Sequence, residues 1–160
     1  MAKRSAGLLI YRIHEGACEI LLVHPGGPYW AKKDEGSWSI PKGLVDGAED
    51  GLVAARREAR EELGVNVEGN FDHLGEYRQP SGKVVAAWAV EADLDAEAIA
   101  SNSFQMEWPP HSGVVAEFPE VDKARWFTLV DAERKILKGQ HPLIADFVKY
   151  RSGSLAPRAD

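Results

Sequence analysis

The sequence has a single cysteine, Cys18, among its 160 residues, so no intrachain disulfide can form. This composition is typical of a reducing compartment, and we expect a cytoplasmic protein. No apolar run approaches the roughly 20 residues that a membrane-spanning helix needs, so we expect no membrane segment. Arg12 and Glu15 interrupt the apolar stretch near the N-terminus, which therefore predicts a first strand rather than a signal peptide.

An excess of basic residues is also missing, because 19 Lys and Arg face 25 Asp and Glu and the formal net charge is -6. This balance excludes a general nucleic-acid-binding surface, which needs clustered cations, but it allows a local basic pocket for a few phosphates. The apolar fraction of 44% and charged fraction of 28% are those of a globular protein. We predict one domain over residues 1–150 and a disordered tail over 151–160.

Apolar, β-branched runs predict strands, and helical spacing predicts three helical segments. The expected strands are 6–13, 18–24, 65–67, 71–77, 83–91, 114–118 and 126–129, with the first two joined as a hairpin. Further helices are expected at 131–137, capped by Asp131 and ended by Gly139, and at 142–150. Two segments are expected to be loops that set specificity: 26–37, which is rich in Gly and Pro, and 96–111.

The clearest local prediction is a helix over 52–63. Its apolar residues fall on one stripe at helical spacing, with Asp50 before it as a candidate cap and Gly64 after it as a stop signal. Glu58, Glu61 and Glu62 lie on another face, and the row of Glu58 and Glu62 is about 100° round the helix from the apolar stripe. Glutamates three and four residues apart repel one another by a few tenths of a kcal/mol per pair, so something outside the helix must offset the cost. Carboxylates that converge on one point are ligands for Mg²⁺ or Mn²⁺.

The spacing from Gly43 to Val65 is glycine, five residues, Glu49, seven residues, and then Arg-Glu-Ala-Arg-Glu-Glu-Leu-Gly-Val. It resembles the Nudix box, in which Ala59 fills the first apolar position with a small side chain. The preceding WSIPKG, the following GKVVAAW and a late strand and helix are also similar to this family. The resemblance implies the Nudix fold, an α/β/α sandwich on a mixed sheet, and hydrolysis of a nucleoside diphosphate linked to another group.

The resemblance also implies roles for individual residues. Metal ligands would be Glu58, Glu61, Glu62 and the backbone carbonyl of Lys42, and either Glu58 or Glu61 would accept the proton of the attacking water. Arg57 would orient Glu61, its neighbour at four residues' spacing. The remaining expected roles are structural for Gly43, Glu49 and Gly64, and substrate binding for Lys42, Tyr77 and Lys83.

Outside the box, Glu107 and Glu117 compete for the role of an additional metal carboxylate. Within the family, the sequence is most similar to the branch that hydrolyses dinucleoside polyphosphates or nucleoside triphosphates. The alternatives are a decapping-like or sugar-nucleotide hydrolase, and a Nudix-fold module that binds a nucleotide without cleaving it. The three glutamates of the box favour an enzyme, since a sensor has no need for all of them. The oligomeric state and the preferred nucleotide are left open.

Overall fold

The computed structural model describes residues 3–153. Its strands are β1 (Arg4–His14), β2 (Ala17–Pro25), β3 (Lys42–Leu44), β4 (Asp72–Arg78), β5 (Val84–Glu91), β6 (Ser103–Glu107), β7 (Val115–Pro119) and β8 (Val121–Thr128). Its helices are α1 (Gly51–Leu63), α2 (Leu129–Lys135) and α3 (His141–Arg151), with 3₁₀ turns at Ala96–Ala98 and Lys138–Gln140. None of the helices within residues 3–153 is long and apolar enough to cross a membrane.

The main sheet is mixed and is built around β1. Its strand order is β4-β5-β1-β2-β8, and β3 also pairs with β1. The β1–β5 pair is parallel, whereas β1 is antiparallel to both β2 and β3. The first residues of β1 pair with β3 and its last residues pair with β2, so the two neighbours share one edge of the same strand. The predicted mixed α/β sheet is confirmed.

Helices cover both faces of this sheet, because alternate residues of a strand point to opposite sides. Leu8 and Ile10 belong to the core cluster that contains the buried alanines of α1. Leu9 and Tyr11 belong to the opposite cluster with Phe147 of α3, whose ring centroid lies 5.0 Å from that of Tyr11. The α/β/α sandwich expected from the resemblance is therefore the observed architecture.

The β1–β2 hairpin closes through Glu15 and Gly16, which have φ values of 50° and 80°. Two successive residues with positive φ form the tight turn that matches the twist of an antiparallel pair. The predicted hairpin is observed, with His14 opposite Ala17.

Three secondary-structure predictions were wrong. Residues 65–67 form no strand, because the apolar pattern there reflects one buried side chain, Val67, while Val65 is 41% exposed. The segment 96–110 is not only a loop, because it contains β6, which pairs with β7 in a separate two-stranded hairpin. The cap of α2 is Thr128, whose hydroxyl accepts from the backbone N–H of Asp131, so the helix begins two residues earlier than expected.

The end of the chain also differs from the expectation. Arg151 is the last residue of α3 and does not belong to a disordered tail. Ser152 and Gly153 follow as a turn whose backbone N–H groups donate to Val148 and Tyr150, and residues 154–160 of the predicted tail lie outside the described residues.

Candidate active site

Helix α1 is fixed at both ends, and its small residues bring it close to the sheet. The Asp50 carboxylate accepts from the backbone N–H groups of Leu52 and Val53 at 3.1 and 3.2 Å. Gly64 ends the helix with φ of 79°, a left-handed conformation that glycine adopts without a steric cost. The residues that face the sheet are fully buried, namely Ala54, Ala55, Ala59 and Leu63. The same packing brings Glu58 against Gly43 of β3, so the glutamates lie beside the contact between the helix and the sheet.

Arg57 connects the acidic residues of this region. Its Nε and Nη2 donate to the two carboxylate oxygens of Glu49 at 2.9 and 3.0 Å. Its Nη1 donates to Glu58 at 3.0 Å and to both oxygens of Glu61 at 3.2 and 3.3 Å. Nη2 also reaches the carbonyl oxygen of Leu44 at 3.0 Å. One guanidinium thus orients three carboxylates, which the planar fork of an arginine can do and an ammonium cannot.

Gly43 makes room for the carboxylate of Glu58. A Cβ atom on Gly43 would lie 2.0 Å from Cδ of Glu58 and 2.1 and 2.4 Å from its two oxygens. Any other residue at position 43 would therefore displace this carboxylate. The glycine and the glutamate 15 positions later are coupled by direct contact.

Lys42 and Glu62 lie together at the inner part of the site. The backbone N–H of Lys42 donates to Glu62, and burial raises the pKa of Glu62 to about 8, with Glu58 and Glu120 acting in the same direction. Burial also lowers the pKa of Lys42, and the charge of Lys83 adds to this lowering. The charges of Lys42 and Glu62 attract each other and partly oppose these shifts, but burial outweighs the attraction, so a bound cation would further stabilise the carboxylate and a bound phosphate the ammonium.

A further carboxylate, Glu120, joins this group from the turn between β7 and β8. Burial raises its pKa, and the charge of Glu61 raises it further. The backbone carbonyl of Glu120 accepts from the N–H of Gly26 at 2.9 Å, which places the turn beside the end of β2. Sequence analysis missed Glu120, because only the pairing of β8 with β2 brings it to the site. The sequence signal that could have identified Glu120 was its position between the predicted strands 114–118 and 126–129.

The two glutamates considered for this role are engaged elsewhere on the β6–β7 hairpin. Glu107 accepts from the backbone N–H groups of His111 and Gly113, both at 3.0 Å, and so stabilises the turn of the hairpin. Glu117 lies opposite Gln105 in the middle of the same hairpin. Neither residue lines the pocket that holds Glu62 and Glu120.

That pocket has a volume of about 220 Å³ and combines apolar walls with a charged end. Its polar and charged lining consists of Ser37, Ser39, Lys42, Glu62 and Glu120. The rest of the lining is apolar or aromatic and consists of Val23, Pro25, Trp30, Ile40, Val121 and Leu137. An apolar cavity with a few polar groups at one end is the usual form of a small-molecule site.

A buried histidine connects the loop of residues 26–37 with β8 beside the pocket. His24 is fully buried, and its Nε2 donates to the carbonyl oxygen of Lys33 at 2.7 Å. Its Nδ1 lies 2.8 Å from the carboxylate of Asp122. Lys33 follows Trp30 in the loop of residues 26–37, and Asp122 follows Glu120 by two positions. One imidazole therefore ties the loop to β8, which begins directly after Glu120.

The other two expected substrate-binding residues occupy different surroundings. Tyr77 is buried with 8% exposure, and its hydroxyl donates to Asp146 of α3 at 2.7 Å. Lys83 is exposed just before β5, close enough for its charge to lower the pKa of Lys42. The structure thus leaves Lys83 on the surface, within electrostatic reach of Lys42, and packs Tyr77 into the core between the sheet and α3.

The carboxylates of the site are suitable ligands for a hard divalent cation. Their oxygens are the ligands that such a cation prefers, and the cation would reduce the repulsion between the carboxylates. In residues 3–153, no three acidic, histidine or cysteine side chains already converge on one point. Glu58 and Glu61 face Arg57 instead. Burial and neighbouring carboxylate charges nevertheless raise the pKa of Glu58, Glu62 and Glu120, and a cation among them would relieve this repulsion.

The model of the NUDIX domain family matches residues 1–147 of the chain. The chain is similar to the asymmetrical bis(5′-nucleosyl)-tetraphosphatase of Caenorhabditis elegans, with 40% identity over 68 residues, 42% of this chain and 45% of that protein. It is also similar to the protein of the same name from Mus musculus, with 33% identity over 103 residues, 57% of this chain and 66% of that protein. The matches span about half to two thirds of the length of these curated relatives.

Solved structures show the same fold over nearly the whole chain. A C. elegans Ap4A hydrolase in a binary complex has a TM-score of 0.66 and 27% identity, covering 93% of this chain and 98% of that chain. The NUDIX domain of Shewanella oneidensis NrtR, complexed with ADP ribose, has a TM-score of 0.64 at 16% identity, covering 94% of this chain and 89% of that chain. At this identity, the second likeness shows the fold alone.

Proposed function

Because the chain belongs to the Nudix family, we propose that it hydrolyses a pyrophosphate bond of a nucleotide polyphosphate, with a dinucleoside tetraphosphate as its preferred substrate. The observation that carries this proposal is the Arg57 cluster, in which one guanidinium orients Glu49, Glu58 and Glu61. Arg57 offsets the mutual repulsion of Glu58 and Glu61, whereas burial still raises the pKa of Glu62, which a bound cation would stabilise as a carboxylate. The names of the curated relatives support a dinucleoside tetraphosphate as the substrate.

The site residues divide into two groups by the part of the substrate that each suits. Glu58, Glu61 and Glu62 would hold Mg²⁺ or Mn²⁺, with Glu120 and the backbone carbonyl of Lys42 as further ligands. When bound, such an ion supplies charge neutralisation for the phosphates and lowers the pKa of a bound water. The ammonium groups of Lys42 and Lys83 would bind phosphate oxygens, since the low pKa of Lys42 reflects a burial cost that a phosphate would offset.

The reaction adds water across one P–O–P anhydride. The water oxygen forms a bond to phosphorus, the bridging P–O bond breaks, and the leaving phosphate keeps its electron pair. The proton of the water passes to a carboxylate of the site, for which Glu58 and Glu61 are the candidates. Arg57 keeps both candidates in fixed orientations, which lowers the entropy that would otherwise be lost on reaching a reactive geometry. Asymmetrical cleavage of a tetraphosphate gives a nucleoside monophosphate and a nucleoside triphosphate.

A substrate panel tests this proposal. Diadenosine tetraphosphate, ATP, a capped dinucleotide and ADP-ribose are incubated with the protein and Mg²⁺ or Mn²⁺, and the products are separated by anion-exchange chromatography. We expect AMP and ATP from diadenosine tetraphosphate at the highest kcat/KM of the panel. Glu61→Gln should lower kcat by about 10² or more, the range for loss of a group that acts on the reacting water.

The matched control is Glu68→Gln, because Glu68 is 77% exposed and forms only a 3.5 Å ion pair with Arg56. This variant should keep wild-type kcat. Absence of turnover on every substrate, combined with calorimetric binding of a nucleotide, would instead identify a binding module. Turnover that survives Glu61→Gln unchanged would disprove the assignment of the site.

A further inference from the structure

Two aromatic side chains pair on the surface outside the pocket. Tyr29 of the loop 26–37 and Trp108 of the β6–β7 hairpin meet edge to face, with ring centroids 5.2 Å apart and an interplanar angle of 79°. Tyr29 is 58% exposed although its ring is large and apolar. Exposed aromatic groups of this kind mark binding surfaces more often than scattered single residues do. The reaction described above uses neither ring.

Backbone contacts hold the two segments against each other. A Cβ atom on Gly26 would lie 1.9 Å from the carbonyl oxygen of Pro119, at the end of β7. A Cβ atom on Gly27 would lie 3.0 Å from the ring of Phe104 in β6. These close approaches make the loop and the hairpin one packed unit. The position of the Tyr29–Trp108 pair is therefore set by the backbone and not by the two side chains alone.

Both parts of this unit, the loop and the hairpin, lead directly to residues of the active site. Trp30 follows Tyr29 directly and lines the pocket. The second strand of the hairpin, β7 (Val115–Pro119), leads directly to Glu120. Trp108 lies at the other end of the hairpin, where its backbone N–H donates to Val114. At a rise of roughly 3.3 Å per residue, the six steps from Val114, opposite Trp108, to Glu120 span about 20 Å along the hairpin.

The loop adds positive charge beside this path. Lys32 and Lys33 are exposed, and the Lys33 ammonium lies 5.0 Å from the centroid of the Trp30 ring. The acidic residues of the same loop are already paired with α2, because Asp34 accepts from Lys135 and Glu35 accepts from Arg134. The loop therefore presents its lysines to an anion without competing carboxylates.

We propose that Tyr29 and Trp108 bind the second nucleobase of a dinucleoside polyphosphate whose scissile anhydride lies at Glu58, Glu61 and Glu62. The inference rests on the proposed function and names the part of the substrate that the hairpin recognises. Bases stack on aromatic rings with little regard to sequence, and lysines bind the phosphates between the two bases. A substrate with one base leaves the Tyr29–Trp108 pair, which we call the aromatic platform, without a base. The aromatic platform therefore selects for substrates with two bases.

The test compares two substrates with equal numbers of phosphates, diadenosine tetraphosphate and adenosine 5′-tetraphosphate. Trp108→Ala and Tyr29→Ala should each raise KM for the two-base substrate about tenfold, within the range measured for loss of one stacking contact. Both variants should keep wild-type kcat, and wild-type KM for the one-base substrate. Trp108→Phe retains an aromatic face and should restore most of the affinity.

The matched control on the same hairpin is Val115→Ala, since Val115 is 64% exposed and not aromatic. It should behave as wild type with both substrates. An equal rise of KM for both substrates, or no change for either, would overturn the inference while leaving the hydrolase proposal intact. If the wild-type protein cleaves neither substrate, the hydrolase proposal fails, and calorimetric binding of the two compounds then tests the aromatic platform by the same comparison. Thermal unfolding of each variant checks that the hairpin still folds, and Tyr29→Leu and Trp108→Leu, which keep an apolar side chain without an aromatic face, serve if an alanine variant does not.

Discussion

Replacement of Gly43 by alanine should change the geometry of the active site with only a small effect on the stability of the fold. The added methyl group would lie 2.0 Å from the carboxylate carbon of Glu58, so the carboxylate must move. This carboxylate is the end of a flexible side chain, and Gly43 lies in β3 without a positive φ, so the backbone can stay in place. The displaced Glu58 would lose its 3.0 Å bond from Arg57.

The expected magnitudes for Gly43→Ala differ between activity and stability. A displacement of about 1 Å at a reacting centre costs on the order of 10² in rate, so kcat on diadenosine tetraphosphate should fall by about that factor. Loss of one partly exposed charged hydrogen bond should cost about 1 kcal/mol, which corresponds to a Tm decrease of roughly 2–4 °C for a chain of this size. The protein should thus stay folded and lose most of its turnover.

Steady-state kinetics with Mg²⁺ and differential scanning calorimetry measure both quantities. The control is Gly16→Ala, where φ is 80° and no atom lies within 4 Å, so strain should lower Tm while kcat stays unchanged. A double-mutant cycle with Glu58→Gln should be strongly non-additive, because both changes act on the same carboxylate. Wild-type kcat in Gly43→Ala, or additive effects in the cycle, would refute the argument that position 43 acts through Glu58.

Three further variants test the supporting contacts. Arg57→Lys keeps the charge, but the lysine ammonium cannot reproduce the contacts of the guanidinium with three carboxylates. We therefore expect kcat to fall about tenfold or more in the same assay. An unchanged kcat would contradict the role of Arg57 in orienting these carboxylates. His24→Phe keeps a buried ring but removes both hydrogen bonds of the loop anchor, so Tm should fall by roughly 4–8 °C for a loss of about 2 kcal/mol. A Tm equal to that of wild type would show that the loop is held by other contacts. Thr128→Ala removes the cap of α2 and should lower Tm by roughly 2–4 °C without changing kcat, whereas Val130→Ala, at a position 78% exposed, should change neither.

Several predictions from the sequence succeeded because they depend on residues close together in the chain. The helix that carries Glu58 follows from its apolar stripe, its Asp50 cap and its Gly64 stop, all of which act within a few residues. The pairing of Arg57 with Glu61 follows from helical spacing alone, and the structure shows it at 3.2 Å. The α/β/α sandwich, which the resemblance implied, is also observed, with a core cluster on each face of the sheet.

Predictions failed where a side chain's partner lies far along the chain. The alternation of Ser103, Phe104, Gln105, Met106 and Glu107 is a strand signal, but β6 exists only because β7 pairs with it across a long turn. Tyr77 is buried and donates to Asp146, which lies 69 positions later, and β4 contains a register shift between His73 and Gly75; the residue pattern reveals neither feature.

The sequence by itself determined the helix of the Nudix box and its set of carboxylates, because capping, helical periodicity and spacings of three and four residues act locally. Only the tertiary structure decided which distant residues complete the site. It brought Glu120 beside Glu62 through the pairing of β8 with β2, and it placed Trp108 against Tyr29 through glycine contacts between the loop and the hairpin. Such contacts depend on strand register and on close backbone approach, and both are properties of the folded chain as a whole.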